Sequence, residues 1–239
     1  MHSKHHFFNR LLGCRAAGAI PVIAEIKAYT PTAGDLLRHR PVEDIAQQYE
    51  RAGMACVSVV TGQWFGGSPA LLDRVARATS LPVLHKDFIA SRSVIERSKE
   101  LGAAAVLLTK KLVSADVLKK LAECALSLGL TPFIEVGSAA EMQGLRIDSE
   151  AILAVSNRNI SIKETDEGDI TTSLSLLDAA RTTGAGAVVS ASAITTADEA
   201  NQLLNAGFDG LLIGTAFLRA PDLREILDVF RASLLGVNG

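Results

Sequence analysis

The stretch AAVLLTKKLVSADVLKKLAECALSLGLTPFIEV, residues 104–136, contains the pattern on which the fold prediction rests. It begins and ends with short apolar runs, 104–109 and 131–136, in which apolar and polar residues do not alternate. Such runs are typical of parallel strands that are covered on both faces. The apolar residues between them recur at helical spacing, after an N-cap at Ser114 and before a stop at Gly129. The stretch therefore predicts a strand–helix–strand unit.

The same unit recurs along the whole chain. Eight apolar runs are predicted as strands: PVIAEI (21–26), ACVSVV (55–60), LPVLHK (81–86), AAVLLT (104–109), TPFIEV (131–136), AILAVS (151–156), GAVVSA (186–191) and DGLLIG (209–214). Helices are predicted at Val42–Ala52, Ala70–Thr79, Arg92–Leu101, Ser114–Leu128, Leu174–Thr182 and Asp222–Leu234, and after a capping box of Thr196 and Glu199. Eight units of about thirty residues each predict a single (β/α)8 TIM barrel in the α/β class. A doubly wound open sheet is the alternative, which the even composition along the chain disfavours.

Length and composition bound the class of protein. The chain has 239 residues, 48% of them hydrophobic and 21% charged, which excludes an extended disordered chain. A net charge of −2 provides no basic field for nucleic acid, and no apolar run is long enough to span a bilayer. Three scattered cysteines fit a reducing compartment. We therefore expect a cytoplasmic protein without nucleic-acid or membrane partners.

The domain organisation is expected to be simple. A short N-terminal segment, 1–20, precedes a barrel domain, 21–239. The segment contains His2, His5 and His6, which could bind a metal, but no acidic or thiol partner lies nearby in the sequence. We expect a solvated chain end there instead.

Charged residues interrupt three of the predicted strands. In a barrel, chemistry lies at the carboxyl ends of the strands, and Glu25, Lys86 and Glu135 are set in otherwise apolar runs near those ends. A charge in such a place is costly unless it is paired or functional. One interpretation is a Lys–Glu network that holds the mouth of the barrel closed; the other is proton transfer by groups with shifted pKa values. With Lys27 nearby, the set suits acid–base chemistry on a polar substrate, and a lysine could also form a Schiff base with a carbonyl.

Two short segments predict a phosphate site. Ser192 and Ala193 follow the seventh strand, and Gly214 and Thr215 end the eighth. Barrels commonly bind phosphate at these strands through backbone N–H groups and the N-terminus of a short helix. A tight turn followed by a helix cap is the alternative.

Taken together, these segments resemble the indole-3-glycerol phosphate synthase family of tryptophan biosynthesis. The resemblance is carried, in order, by PVIAEIKAYTPTAG, VVTGQWFGGS, LPVLHKDFI, AAVLLT, FIEV, VSNRNI, VVSASAI and LLIGTAFLR. It implies a (β/α)8 barrel and a carboxy-lyase that closes the pyrrole ring of 1-(2-carboxyphenylamino)-1-deoxyribulose 5-phosphate, with loss of CO2 and water. It implies no metal and no organic cofactor. Phosphoribosylanthranilate isomerase is possible by fold, but it lacks the AEIK and KDF blocks.

The resemblance also implies roles for single residues. The catalytic positions are Lys86 as general acid, Glu135 as its partner acid or base, and Glu25 with Lys27 as a pair that positions groups or relays protons. The substrate-binding positions are Arg158, which holds the anthranilate carboxylate, Ser156, and the apolar walls Phe88, Leu108 and Pro31. The phosphate-binding positions are Thr30, Ser192, Ala193, Gly214 and Thr215.

Several positions depart from the family pattern. The block S-E-S-G-I of the family has Ala191 and Ala193 in place of its glutamate and glycine, and Ser156 replaces an asparagine. Gly137 stands where the family usually has a histidine, two residues after Glu135. The segment before the first strand is shorter than in the family, in which it includes a helix over the mouth. Loss of a carboxylate from the cleft is expected to cost orders of magnitude in rate.

Three hypotheses follow from these departures. The chain is a divergent synthase, a paralogue that acts on another phosphorylated amino-sugar or aryl-amine adduct, or a non-catalytic pseudoenzyme that binds a phosphate ligand. Retention of Glu25, Lys27, Lys86, Glu135 and Arg158 argues against the third, because a buried lysine without a use is destabilising. The expected partner is a small phosphorylated substrate. We expect a monomer, with a partner enzyme of the same pathway as the alternative.

Overall fold

Eight parallel strands close into a barrel in the computed structural model, which describes residues 6–158 and 168–236. The strands of the chain are β1 (Ile20–Ile26), β2 (Tyr29–Thr30), β3 (Gly34–Asp35), β4 (Met54–Val60), β5 (Val83–Lys86), β6 (Ala105–Thr109), β7 (Thr131–Val136), β8 (Ile152–Ser156), β9 (Ala187–Ala191) and β10 (Gly210–Ile213). The barrel runs in the order β1-β10-β9-β8-β7-β6-β5-β4, and β4 pairs with β1 to close it. The pair β2–β3 is a small antiparallel hairpin in the loop after β1. The predicted (β/α)8 TIM barrel is confirmed.

Helices connect the barrel strands. They are α1 (His6–Gly13), α2 (Val42–Arg51), α3 (Pro69–Ala78), α4 (Arg92–Glu100), α5 (Ala115–Ser127), α6 (Ala139–Met142), α7 (Thr171–Arg181), α8 (Ala197–Ala206), α9 (Thr215–Arg219) and α10 (Leu223–Leu235). Ser114 caps α5 by accepting from the Val117 N–H, and the capping box of Thr196 and Glu199 is present at α8. Of the helices described, none has both the length and the apolar character to cross a membrane.

The strands separate two apolar layers, because alternate side chains point to opposite faces. In β6, Ala105 and Leu107 point into the barrel, whereas Val106 and Leu108 pack against the surrounding helices. The outer layer is the larger core. The inner layer fills the amino-terminal half of the barrel and leaves the carboxyl ends of the strands for polar residues.

Helix α1 closes the barrel at the end opposite those polar residues. Phe7 and Leu11 are fully or almost fully buried in the inner layer, and the Phe7 ring meets the Phe133 ring edge-on at 6.5 Å between centroids. The backbone N–H of Phe8 donates to Oγ1 of Thr131, the first residue of β7, at 3.3 Å. Helix α1 is thus a plug at the amino-terminal end. The division into 1–20 and 21–239 stays a prediction.

Candidate active site

A buried carboxylate between two ammonium groups lies at the mouth of the barrel. Oε1 of Glu25 is 3.1 Å from Nζ of Lys27, and its Oε2 is 3.2 Å from Nζ of Lys86. The three residues are 2%, 3% and 8% exposed, respectively. A buried charge is tolerated only with such compensation, and the trio contains one more cation than anion when all three are ionised.

Glu135 lies at the same end of the barrel, on β7. It follows the inward-facing Phe133 by two residues, so strand alternation directs it toward the interior. Its exposed fraction is 2%. The register places it beside Thr109 of β6 and Ala154 of β8. The four predicted catalytic residues therefore share the carboxyl end of the barrel.

A cavity of about 240 Å³ opens beside Glu25, at the ends of β1, β8, β9 and β10. Its lining includes seven of the predicted site residues: Glu25, Lys27, Arg158, Ser192, Ala193, Gly214 and Thr215. Lys86 is not part of this lining, but it forms an ion pair with Glu25, which is. Arg219, at the end of α9, is a further cation in the lining that sequence reasoning did not assign. The walls thus combine cationic side chains with backbone turns.

The turn after β10 fits closely against Glu25. Gly214 is the N-cap of α9, whose first residue is Thr215. A Cβ atom at Gly214 would lie 2.8 Å from both Cβ and Oε1 of Glu25, so only glycine fits there without a shift. This glycine therefore allows the predicted phosphate-binding turn and the Glu25 carboxylate to lie in contact.

The turn after β9 is strained. Ser192 and Ala193 have φ values of 67° and 54°, in the left-handed region that costs a non-glycine residue about 1–2 kcal/mol. A side-chain amide holds the turn: Nδ2 of Asn157 donates to the Ser192 carbonyl at 3.0 Å and to Oγ of Ser190 at 3.1 Å. Its Oδ1 accepts from the N–H of Ser173 in α7 at 2.9 Å.

Asn157 is therefore a structural anchor of the site that the sequence did not reveal. It is 4% exposed, and its contacts come from β9 and α7. The only signal was its position within the S-N-R-N block. Because its partners are distant in sequence, that position predicted no role.

Arg158 projects from the loop that follows β8. Oγ of Ser156 donates to the Arg158 carbonyl at 3.0 Å and accepts from its N–H at 3.4 Å, which fixes the turn. Within residues 6–158 and 168–236, Nε of Arg158 has no hydrogen-bond partner although it is buried. Ser156 therefore orients the Arg158 backbone, while the guanidinium faces the cavity with donor capacity left.

An aromatic cluster borders the mouth. The rings of Trp64 and Phe88 stack with centroids 4.9 Å apart, and both side chains are about 40% exposed (41% and 40%). Nζ of Lys27 lies 5.5 Å from the centroid of the Phe65 ring. Aromatic side chains in the loops that follow β4 and β5 thus form an apolar rim beside the charged residues.

Three predicted site residues lie elsewhere. Leu108 was predicted to line a pocket for the aromatic ring, but it points outward into the helix layer, because the inward positions of β6 are Leu107 and Thr109. Thr30 is buried, and its hydroxyl accepts from the Ala33 N–H at 3.1 Å within its own turn rather than lining the cavity. Pro31 is exposed on the same loop.

A metal site has no support in the part of the chain that the structure describes, where no group of three or more His, Cys, Asp or Glu residues is arranged to hold an ion. His2 and His5 lie outside the described residues, as does Asn159. His6 begins α1.

Comparisons with known proteins identify the family of the chain. The family profile described as indole-3-glycerol phosphate synthase matches residues 1–230. The chain belongs to the indole-3-glycerol phosphate synthase family. The synthase of Pyrococcus furiosus is 38% identical over 90% of this chain and 93% of its own length. That of Carboxydothermus hydrogenoformans is 36% identical over 93% of this chain and 83% of its own.

A longer relative shows the same region in a different context. The tryptophan biosynthesis protein TrpCD of Archaeoglobus fulgidus is 34% identical over 92% of this chain, which spans 39% of that protein. Membership of the synthase family confirms the predicted family and the predicted enzyme class, a carboxy-lyase of tryptophan biosynthesis.

Proposed function

We propose that this chain closes the pyrrole ring of 1-(2-carboxyphenylamino)-1-deoxyribulose 5-phosphate, releasing CO2 and water. The observation that carries the proposal is the buried Lys27–Glu25–Lys86 trio beside a cavity with cationic walls. Two ammonium groups fixed by one carboxylate suit a reaction in which a carbonyl oxygen gains negative charge. Family membership supports the same chemistry.

Binding is assigned to the cavity. The phosphate is held by backbone N–H groups at Ser192–Ala193 and at Gly214–Thr215, where α9 begins. Arg158 pairs with the anthranilate carboxylate through its free donor capacity. Phe88 bounds the aromatic ring from the rim. Each contact orients the ring carbon that carries the carboxylate toward the ketone carbon, which lowers the entropic part of the barrier.

Ring closure needs an acid at the ketone. As the ring carbon attacks, a carbon–carbon bond forms, and Lys86 donates a proton to the ketone oxygen, which becomes a hydroxyl. The C–CO2 bond then breaks, and its electron pair restores the aromatic ring. Glu25 keeps the ammonium of Lys86 in place during this step, since the two are 3.2 Å apart. General acids of this kind contribute roughly 100- to 10,000-fold in rate.

Dehydration completes the product. The nitrogen lone pair expels the new hydroxyl, which takes a proton and leaves as water, and a proton lost from the neighbouring carbon gives the indole. Glu135 is assigned to this second acid–base step, because it is a buried carboxylate at the same end of the barrel. Glu25 with Lys27 returns protons to the reacting groups.

A paralogue with another substrate is the second candidate, and Ala191 favours it. This residue ends β9, is 1% exposed, and points into the barrel where the family pattern has a glutamate. A phosphorylated amino-sugar or aryl-amine adduct of different shape would not need a carboxylate at that position. A pseudoenzyme is disfavoured, because the buried lysines are retained.

The test is to mix the purified protein with 1-(2-carboxyphenylamino)-1-deoxyribulose 5-phosphate and follow indole fluorescence. We expect turnover above roughly 0.1 per second, the low side of ordinary enzymes. Absence of indole would contradict the proposal. If the substrate still raised the thermal midpoint in that case, the paralogue would be favoured, since a bound ligand stabilises the folded state.

The remaining proposals concern the oligomeric state of the protein and its location in the cell. We propose a cytoplasmic monomer, with association with a partner enzyme of the same pathway as the alternative. The longer TrpCD relative supports proximity to a second activity. Sedimentation of the purified chain checks the monomer.

A further inference from the structure

A buried polar array lies on the outer face of β5, one residue before Lys86. We define the His85 array as His85, Thr61, Asp87 and Ser98. Nε2 of His85 is 2.8 Å from Oγ1 of Thr61, and its Nδ1 is 2.7 Å from Oγ of Ser98. Oγ1 of Thr61 also lies 2.5 Å from Oδ2 of Asp87. The His85 side chain is largely excluded from solvent, with 6% of the residue exposed.

The hydrogens of the array satisfy every contact only when the imidazole ring is a cation. Oγ of Ser98 donates to the Val94 carbonyl at 2.7 Å, so Nδ1 of His85 must be the donor to Ser98. Thr61 has one hydroxyl hydrogen for two acceptors. If it donates to Asp87, Nε2 of His85 must also be protonated, and the ring is a cation. If His85 is neutral, the hydroxyl turns to Nε2 and the Asp87 contact is lost.

The array is joined to the residues that carry the chemistry. The backbone N–H of Thr61 donates to the Lys86 carbonyl at 3.1 Å. Oδ1 of Asp87 accepts from the N–H of Phe88 at 2.8 Å. Lys86, the last residue of β5, therefore lies between His85 and Asp87 in the sequence. Its backbone carbonyl is bound by Thr61.

We propose that His85 is a positioning residue, which acts through the hydroxyl of Thr61 to set the strand end that bears Lys86 and Phe88. The protonation state of His85 selects the acceptor of that hydroxyl. The link to catalysis rests on the proposed function, whereas the coupling between His85 and Phe88 does not.

The electrostatic surroundings of His85 are simple. Burial lowers the pKa of the imidazole, and the nearby Asp87 carboxylate raises it in part. The contacts from α4 and from the residue after β4 come from the hydroxyls of Ser98 and Thr61, which carry no charge. At neutral pH the ring is therefore neutral and Thr61 binds Nε2; in acid the hydroxyl turns to Asp87.

The single tryptophan of the chain reports on this coupling without any substrate. Trp64 stacks on Phe88, whose backbone is held by Asp87. We expect its emission to change in a one-proton transition on lowering the pH, with a midpoint below about 6.5, the ordinary value for histidine. An emission that stays constant from about pH 8 down to the onset of acid unfolding would overturn the proposal.

Two substitutions of Thr61 distinguish the effect of its hydroxyl group from the effect of its side-chain shape. Thr61→Val keeps the branched side chain and removes the donor, so the transition should disappear. Thr61→Ser retains the hydroxyl and should restore it. An unchanged transition in Thr61→Val would assign the titration to another group and overturn the role of the array.

Measurements of turnover test whether the array affects catalysis. With the same substrate, Thr61→Val should lower kcat by about tenfold, with little change in KM, because small misplacements of a reacting group lower the rate. The acid limb of the pH profile should flatten, and Thr61→Ser should recover both. An unchanged kcat and acid limb in Thr61→Val would overturn the positioning role. If the wild-type chain has no turnover, the proposed function fails while the emission titration still decides the coupling.

Discussion

The two ends of the barrel are built on opposite principles. The amino-terminal end is closed by Phe7 and Leu11 of α1, which are almost fully buried among apolar residues. The carboxyl end buries charges, as in Glu25 and Lys86, and holds Ala193 in a left-handed conformation. The apolar end contributes stability, and the charged end retains features that are unfavourable for stability but useful for chemistry. Substitutions at the two ends should therefore separate folding from turnover.

Lys86→Ala is expected to have the largest effect at the mouth. Removal of the proposed general acid should lower turnover by about a thousandfold. The fold should survive, because Glu25 keeps Lys27 as a partner at 3.1 Å. Indole fluorescence and the thermal midpoint measure the two quantities.

The matched control is Lys119→Ala, on the exposed surface of α5, where the Lys119 side chain is 75% exposed. It should leave both quantities unchanged. Turnover near the wild-type level in Lys86→Ala would contradict the assignment of the acid.

Phe7→Ala tests the opposite end. It removes a fully buried ring that packs edge-on against Phe133, and the expected loss in the free energy of unfolding is about 3–5 kcal/mol. Turnover per folded molecule should stay near that of the wild type, because the plug lies at the far end. Urea unfolding and an activity assay at low temperature check these expectations.

Leu12→Ala in the same helix is its control, since Leu12 is 46% exposed and should cost little. A large loss of turnover in folded Phe7→Ala would show that the two ends are coupled.

Ala191→Glu tests whether the absence of a carboxylate at this position of the barrel mouth limits the activity. If the chain is a weakened synthase, a glutamate at the inward-facing end of β9 should raise kcat/KM by roughly tenfold. The isosteric Ala191→Gln should give no gain, because it supplies no charge. Equal effects of the two variants, or no gain from glutamate, would favour the paralogue with another substrate.

Ala193→Gly is expected to have the smallest effect. The φ value of 54° suits glycine, so the substitution should raise the free energy of unfolding by up to about 1 kcal/mol. The relaxed turn should also lower KM for a phosphorylated substrate. Ala187→Gly, in the extended backbone of β9 before this turn, should instead be destabilising. A loss of stability in Ala193→Gly would show that Asn157 has already offset the strain.

Most of the fold could be predicted from periodicity. All eight barrel strands lie within two residues of the apolar runs, and helices α5 and α8 begin at the caps that the sequence contains. Helix α7 begins at Thr171, three residues before the predicted start at Leu174, because Thr171 and Thr172 interrupt the apolar pattern. Helix α1 was not predicted, since its burial depends on Phe133 and other residues distant in the sequence.

The site could be predicted less completely, for a physical reason. Charged residues within apolar strands are visible in a sequence, and Glu25, Lys27 and Lys86 are indeed brought together. The run AVLL has no alternation, so it could not indicate that Leu108 points outward. The role of Asn157 and the array around His85 depend on hydrogen bonds between separate elements, which no local pattern encodes.

The plug formed by α1 also constrains the order in which the chain can fold during its synthesis. Helix α1 is the first described element to leave the ribosome, yet its Phe8–Thr131 hydrogen bond joins residues 123 positions apart. The barrel around it closes only when β10 pairs with β1. Until then, the aromatic face of α1 has no complete interior to enter, and such exposed apolar surface is prone to aggregate. The nascent chain should therefore depend on chaperones most strongly before β10 emerges.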